Sequence, residues 1–115
     1  MHVGTEWLID AQGCDAQALR DCSRFQELCL RIIGELDLRM VQAVWHTFPD
    51  PGGLTGMVLL TESHLTCHTY PEHGIATFNL HCCRERPRWT WEATLREQLG
   101  ATAVQVVAIP RGGPA

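Results

Sequence analysis

Apolar and polar residues alternate along 4–12 (GTEWLIDAQ), the period-two signature of a half-buried strand. Gly13 and Cys14 turn the chain, and Asp15 has the side chain of a helix N-cap. The period then changes. Leu19, Cys22, Phe25, Leu28, Cys29, Ile32, Ile33 and Leu36 recur at three- and four-residue steps, which predicts one amphipathic helix from Ala16 to Leu36. Residues 37–46 (DLRMVQAVWH) read as a strand, and Pro49–Gly53 as a strong turn. Leu54–Thr61 is a further apolar strand. Residues 62–74 (ESHLTCHTYPEHG) break the pattern, being polar and rich in reactive side chains. Ile75–Cys83 reads as a strand again. Pro87–Leu99 reads as a second helix, with Trp91, Leu95 and Leu99 on one face and Gly100 as its stop. Thr102–Ile109 is the last strand, and the tail PRGGPA reads as loose.

The order is β-α-β-β-β-α-β, with room for further breaks among the middle strands. An early helix, a late helix and strands between them predict an α+β, two-layer sandwich: an antiparallel β-sheet with two helices packed on one face. The 115 residues predict a single domain, 1–115. A core of that size is modest, so pairing as a homodimer is expected to bury further surface.

Hydrophobic residues at 45% and charged residues at 19% are a globular balance and exclude a disordered chain. The net charge of −4, without a Lys/Arg cluster, argues against nucleic acid and suits a cationic substrate. No apolar run is long enough to span a membrane, and MHVGTEWLID lacks the order of a secretory signal, so a cytoplasmic protein is expected. The six cysteines, Cys14, Cys22, Cys29, Cys67, Cys82 and Cys83, are accordingly expected to be mostly reduced. Trp7 and Trp45 read as core or dimer-interface residues, and Trp89 and Trp91 as anchors of the second helix.

The candidate chemistry lies in Thr61–Glu72 together with Cys83. Ser63 follows an apolar strand and has His64 and His68 nearby, a setting in which a hydroxyl can be activated. In an extended segment His64, Thr66 and His68 share one face, and Leu65 and Cys67 the other. Cys83 places a titratable thiol at the end of the following strand. Taken singly, these features fit hydrogen-bonded strand residues better than a catalytic site. His64, Cys67, His68, His81, Cys82 and Cys83 also offer ligand atoms for a non-catalytic zinc module. That reading lacks a paired CxxC and sends Cys67 and His68 to opposite faces, so no metal is expected.

The string ESHLTCHTYPE is similar to the processing-site motif of the bacterial and archaeal S-adenosylmethionine decarboxylases. The likeness continues through Gly74-Ile75-Ala76-Thr77-Phe78 to Cys83. Upstream it takes in Thr55-Gly56, His46-Thr47-Phe48, Gly4-Thr5 and Gly13-Cys14-Asp15, so it covers nearly the whole chain. The resemblance implies self-cleavage between Glu62 and Ser63, into a β chain 1–62 and an α chain 63–115, with a pyruvoyl cofactor derived from Ser63. It implies Schiff-base decarboxylation of S-adenosylmethionine to an aminopropyl donor for spermidine, and so for polyamine, synthesis. It assigns processing support to His68 and Thr55, protonation of the product to Cys83, adenine stacking to Phe48 and ribose contacts to Glu72, and it implies a homodimer with the site near the interface.

The pattern also departs from the family's. Tyr70 stands where Trp is usual, His73 for Tyr, Asn79 for Asp, Arg84 for Gly and Thr55 for Ser. The changes fall around the substrate pocket and keep a pyruvoyl-dependent decarboxylase of a basic amino acid, ornithine or arginine, as the alternative. An uncleaved homologue with a dead site is a third reading.

Overall fold

A computed structural model describes residues 2–113 of the chain. The elements are β1 (Gly4–Gln12), α1 (Ala16–Leu19), α2 (Cys22–Glu35), β2 (Met40–Thr47), β3 (Leu54–Leu60), β4 (His64–Tyr70), a 3-10 turn (Pro71–His73), β5 (Ile75–Cys82), α3 (Trp91–Leu99) and β6 (Ala103–Arg111). The six strands form one sheet in the order β2-β3-β4-β5-β1-β6, antiparallel throughout. The expected α+β sandwich is therefore present, with one strand more than the periodicity predicts.

The added strand is β4, inside the polar run 62–74. Leu65, Cys67 and Thr69 point into the core, and His64, Thr66, His68 and Tyr70 point away. The buried Thr69 explains why apolar alternation failed there. Its hydroxyl donates to the Leu19 carbonyl at 2.7 Å and accepts from the Leu54 N–H at 2.9 Å, so a polar group is satisfied inside the core.

The predicted first helix is two helices. Asp15 caps α1 as expected, accepting from the Ala18 N–H. Asp21 then caps α2, accepting from the Arg24 N–H at 3.2 Å, and the second cap restarts the helix. The later helix begins at Trp91 rather than Pro87. Trp89 is buried, lies edge-on to Trp91 at 4.9 Å, and donates its indole N–H to Glu35 at 2.8 Å. That anchor holds residues 87–90 out of helical geometry. Pro110 and Arg111 belong to β6 rather than to a loose tail, while Pro114 and Ala115 lie outside the described residues.

The inward sides of the strands and the apolar stripes of α2 and α3 make one core. Phe25 stacks on Phe78 at 5.9 Å, and Phe78 meets Trp91 at 5.7 Å. Trp7 and Trp45 pack half-buried against it. The opposite sheet face is open. It carries the row Val44, Met57, Thr66, Asn79, Leu8 and Val107, flanked by rows containing His46, Thr55 and His68 on one side and Leu59, His64 and His81 on the other. All six cysteines are free thiols.

Candidate active site

The Glu62–Ser63 bond lies at the tip of the β3–β4 hairpin. Leu59 pairs with His64, and the Leu60 N–H donates to the Ser63 carbonyl at 3.0 Å, leaving Thr61 and Glu62 to make the turn. The Thr61 N–H donates to the Arg39 carbonyl at 2.9 Å, which ties the tip to the segment leading into β2. Ser63 is half-buried and Glu62 is exposed.

Cys83 follows the last residue of β5 and is brought to this tip, where its thiol donates to the Glu62 carbonyl oxygen. Adjacent Cys82 faces the helices and is buried, and burial raises its pKa above that of an ordinary thiol. The alternation of β5 thus sends one thiol into the core and the other to the turn. Arg84 completes the group by gripping the Glu62 carboxylate with two bonds, Nε–Oε2 at 2.7 Å and Nη2–Oε1 at 2.8 Å. A cavity of about 320 Å³ opens here, lined by Glu62, Ser63, Cys83 and the guanidinium-bearing Arg39, Arg84 and Arg86.

The other site residues expected from the sequence lie at the far end of the sheet. Thr55 and His68 are cross-strand partners, with Thr55 Oγ1 3.0 Å from His68 Nδ1. Phe48 follows β2, is exposed, and meets His46 edge-on at 4.7 Å. Glu72 lies in the 3-10 turn after β4, exposed beside His73. Gly53 presses its backbone against Thr69 and Pro71, so the turn carrying Phe48 and the one carrying Glu72 share this end; a Cβ at 53 would overlap both.

Within one chain the candidates therefore form two groups. Glu62, Ser63 and Cys83 meet at one end of β4, and Phe48, Thr55, His68 and Glu72 gather at the other. Five residue steps of extended strand take the chain from Ser63 to His68, a span of about 17 Å. His64, whose place the sequence left open, lies on the open face stacked on His81 at 5.3 Å, and His81 Nδ1 is 3.7 Å from Glu6. Sequence reasoning missed Arg39 and Arg86 as cavity residues, because nothing in a polar run marks an arginine that folding brings to a distant turn. Arg84 carried a signal, since it follows Cys83 directly and departs from the usual glycine. Among the described residues no three His, Cys, Asp or Glu side chains converge to hold a metal ion.

Residues 5–112 match the family model for S-adenosylmethionine decarboxylase. The chain belongs to this family. The S-adenosylmethionine decarboxylase proenzyme 2 of Halalkalibacterium halodurans is 33% identical over 114 residues, covering 97% of this chain and 89% of that protein. The proenzyme of Pyrococcus abyssi is 30% identical, covering 96% of this chain and 79% of the relative. The crystal structure of the adenosylmethionine decarboxylase from Aquifex aeolicus superposes with a TM-score of 0.81 at 28% identity, over 99% of this chain and 94% of that one. As a family member the chain is a decarboxylase, and the ornithine and arginine readings are not favoured. Among the described residues no helix is long and apolar enough to cross a membrane.

Proposed function

We propose that this chain cuts itself between Glu62 and Ser63 and then decarboxylates S-adenosylmethionine. The observation that carries the reading is the Cys83 thiol on the Glu62 carbonyl oxygen, at a hairpin tip beside an open cavity. A donor on that oxygen polarises the carbonyl and stabilises negative charge that develops there. The Ser63 Oγ bonds to the carbonyl carbon as the Glu62 C–N bond breaks, and the hydroxyl proton ends on the freed amine. Loss of the residue-63 Cα proton then breaks the Cβ–O bond, and Glu62 departs as a carboxylate. The dehydroalanine left behind rearranges and takes up water, and release of ammonia leaves a pyruvoyl terminus.

A pyruvoyl group formed from Ser63 would sit at the cavity that Ser63 and Cys83 both line. In place, the group would supply a ketone able to act as the electron sink for loss of the substrate carboxylate. The Cys83 thiol would return a proton to the substrate Cα. The exposed Phe48 ring offers a face for adenine, and stacking there is reinforced by the substrate's sulfonium charge. The Glu72 carboxylate accepts hydrogen bonds from the ribose hydroxyls.

These roles require both ends of the sheet at one site, which a single chain does not provide. A second copy would supply the missing half. Turned by a two-fold axis onto the open face, it would lay its His68 end over the Ser63 end of the first. That face exposes Val44 (60%), Met57 (58%) and Leu59 (54%), an apolar patch of the kind that marks an interface. A cytoplasmic enzyme also fits the six free thiols. The assay is carbon dioxide release from S-adenosylmethionine, ornithine and arginine supplied separately. Release from S-adenosylmethionine alone is expected; indifference to it contradicts the proposal.

A further inference from the structure

Glu62 is held at both ends by one dipeptide. Cys83 bonds its carbonyl oxygen, and Arg84 bonds its side-chain carboxylate through a two-pronged guanidinium contact at 2.7 and 2.8 Å. A fork of this kind fixes orientation as well as distance, because two parallel bonds define a plane. Glu62 is the second residue of a two-residue turn, and the hydrogen bonds beside it belong to its neighbours: Leu60 with Ser63, and Thr61 with Arg39. Without the Arg84 contact the Cys83 thiol alone would hold the Glu62 peptide, and the residue could pivot about that single bond.

We infer that Arg84 is a positioning residue for self-cleavage, pinning the Glu62 side chain so that its carbonyl carbon stays presented to the Ser63 hydroxyl while the Cys83 thiol holds its oxygen. This rests on the cleavage reading above. Both partners are solvent-exposed, with side chains 68% and 48% accessible, and exposed pairs add little to folding stability. Their effect is therefore expected in the rate of a geometry-sensitive reaction, where small displacements of reacting atoms cost heavily. The cavity wall around the pair carries three arginines, Arg39, Arg84 and Arg86, against Asp37 and Glu62. Arg86 Nε is buried without a hydrogen-bond partner, an unsatisfied donor in that wall.

The test follows cleavage of freshly purified full-length chain by intact mass at low and at 1 M salt, for the wild type, Arg84→Ala and Arg84→Lys. Arg84→Ala is expected to cut about tenfold more slowly, with Arg84→Lys between it and the wild type because Lys keeps the charge but loses the fork. High salt should slow the wild type towards the Arg84→Ala rate and leave Arg84→Ala unchanged, since screening at 1 M acts within about 3 Å. A purely structural role would show no such salt dependence. Equal rates for wild type and Arg84→Ala overturn the assignment alone. So does an Arg84→Lys rate no better than alanine combined with a salt-indifferent wild type. A wild-type chain that never cuts overturns the cleavage reading, and this assignment with it.

Discussion

At Gly56 the absent side chain makes room for Trp45, whose ring occupies the space that a Cβ would fill. Gly56→Ala must push the ring away or bend β3, and a loss of about 1–3 kcal/mol is expected by urea unfolding. Gly34 is the contrast. It lies near the end of α2 with nothing within 4 Å of a built Cβ, so Gly34→Ala is expected to add about 0.5–1 kcal/mol in the same assay. Neither difference is visible in the sequence, where both are glycines inside regular elements. Ser63 and Cys83 stood out as candidates because one lies in the ungapped string 62–72 and the other ends the strand that follows it. The contact between Cys83 and the Glu62 carbonyl was not, because it depends on how β5 ends beside the β3–β4 turn. Buried cysteines give the same lesson. Cys29 and Cys67 come from α2 and β4, yet hydrogen bonding between them, reinforced by burial, pushes the Cys29 thiol well above its ordinary value.

The elements were legible wherever burial follows apolar type. α2, α3, β3 and β5 keep their apolar faces inward, and the sequence pattern found each of them. β4 was hidden because its inward set ends in Thr69, whose hydroxyl is satisfied by Leu19 and Leu54 across the core. The start of α3 was misplaced because Trp89 acts through tertiary contacts with Trp91 and Glu35 rather than through helix periodicity. Trp91 is fully buried and touches Phe78 and Trp89, so Trp91→Ala is expected to cost about 3–5 kcal/mol. Acid should also loosen the contact between the end of α2 and the segment that precedes α3. Arg31 first, then the Trp89 indole, hold the Glu35 carboxyl below its usual range. A lowered folded pKa means that this contribution is complete above the unfolded value of about 4.3 and is lost as pH falls through the folded one. Tryptophan fluorescence followed below pH 5 is expected to show a transition that Glu35→Gln removes.

For the whole molecule, the candidate site residues fall into two groups about 17 Å apart along β4, one at the hairpin tip and one around Thr55 and His68. In the dimer proposed above, pairing of two open faces would bring unlike halves together. It follows that Ser63→Ala and His68→Ala chains, each inert alone, should recover cleavage of the His68→Ala partner when co-expressed, because one of the two shared sites is then intact. Charge on the open face should have the opposite effect: Met57→Asp is expected to yield monomers by sedimentation and to abolish cleavage without unfolding the chain. The most direct check on self-cleavage is intact mass spectrometry of the purified protein and its Ser63→Ala variant after equal incubation. The wild type should separate into fragments 1–62 and 63–115, the second carrying a pyruvoyl terminus, while Ser63→Ala stays whole. A wild-type chain found only at full length, or a Ser63→Ala chain cut at the same bond, would contradict the account.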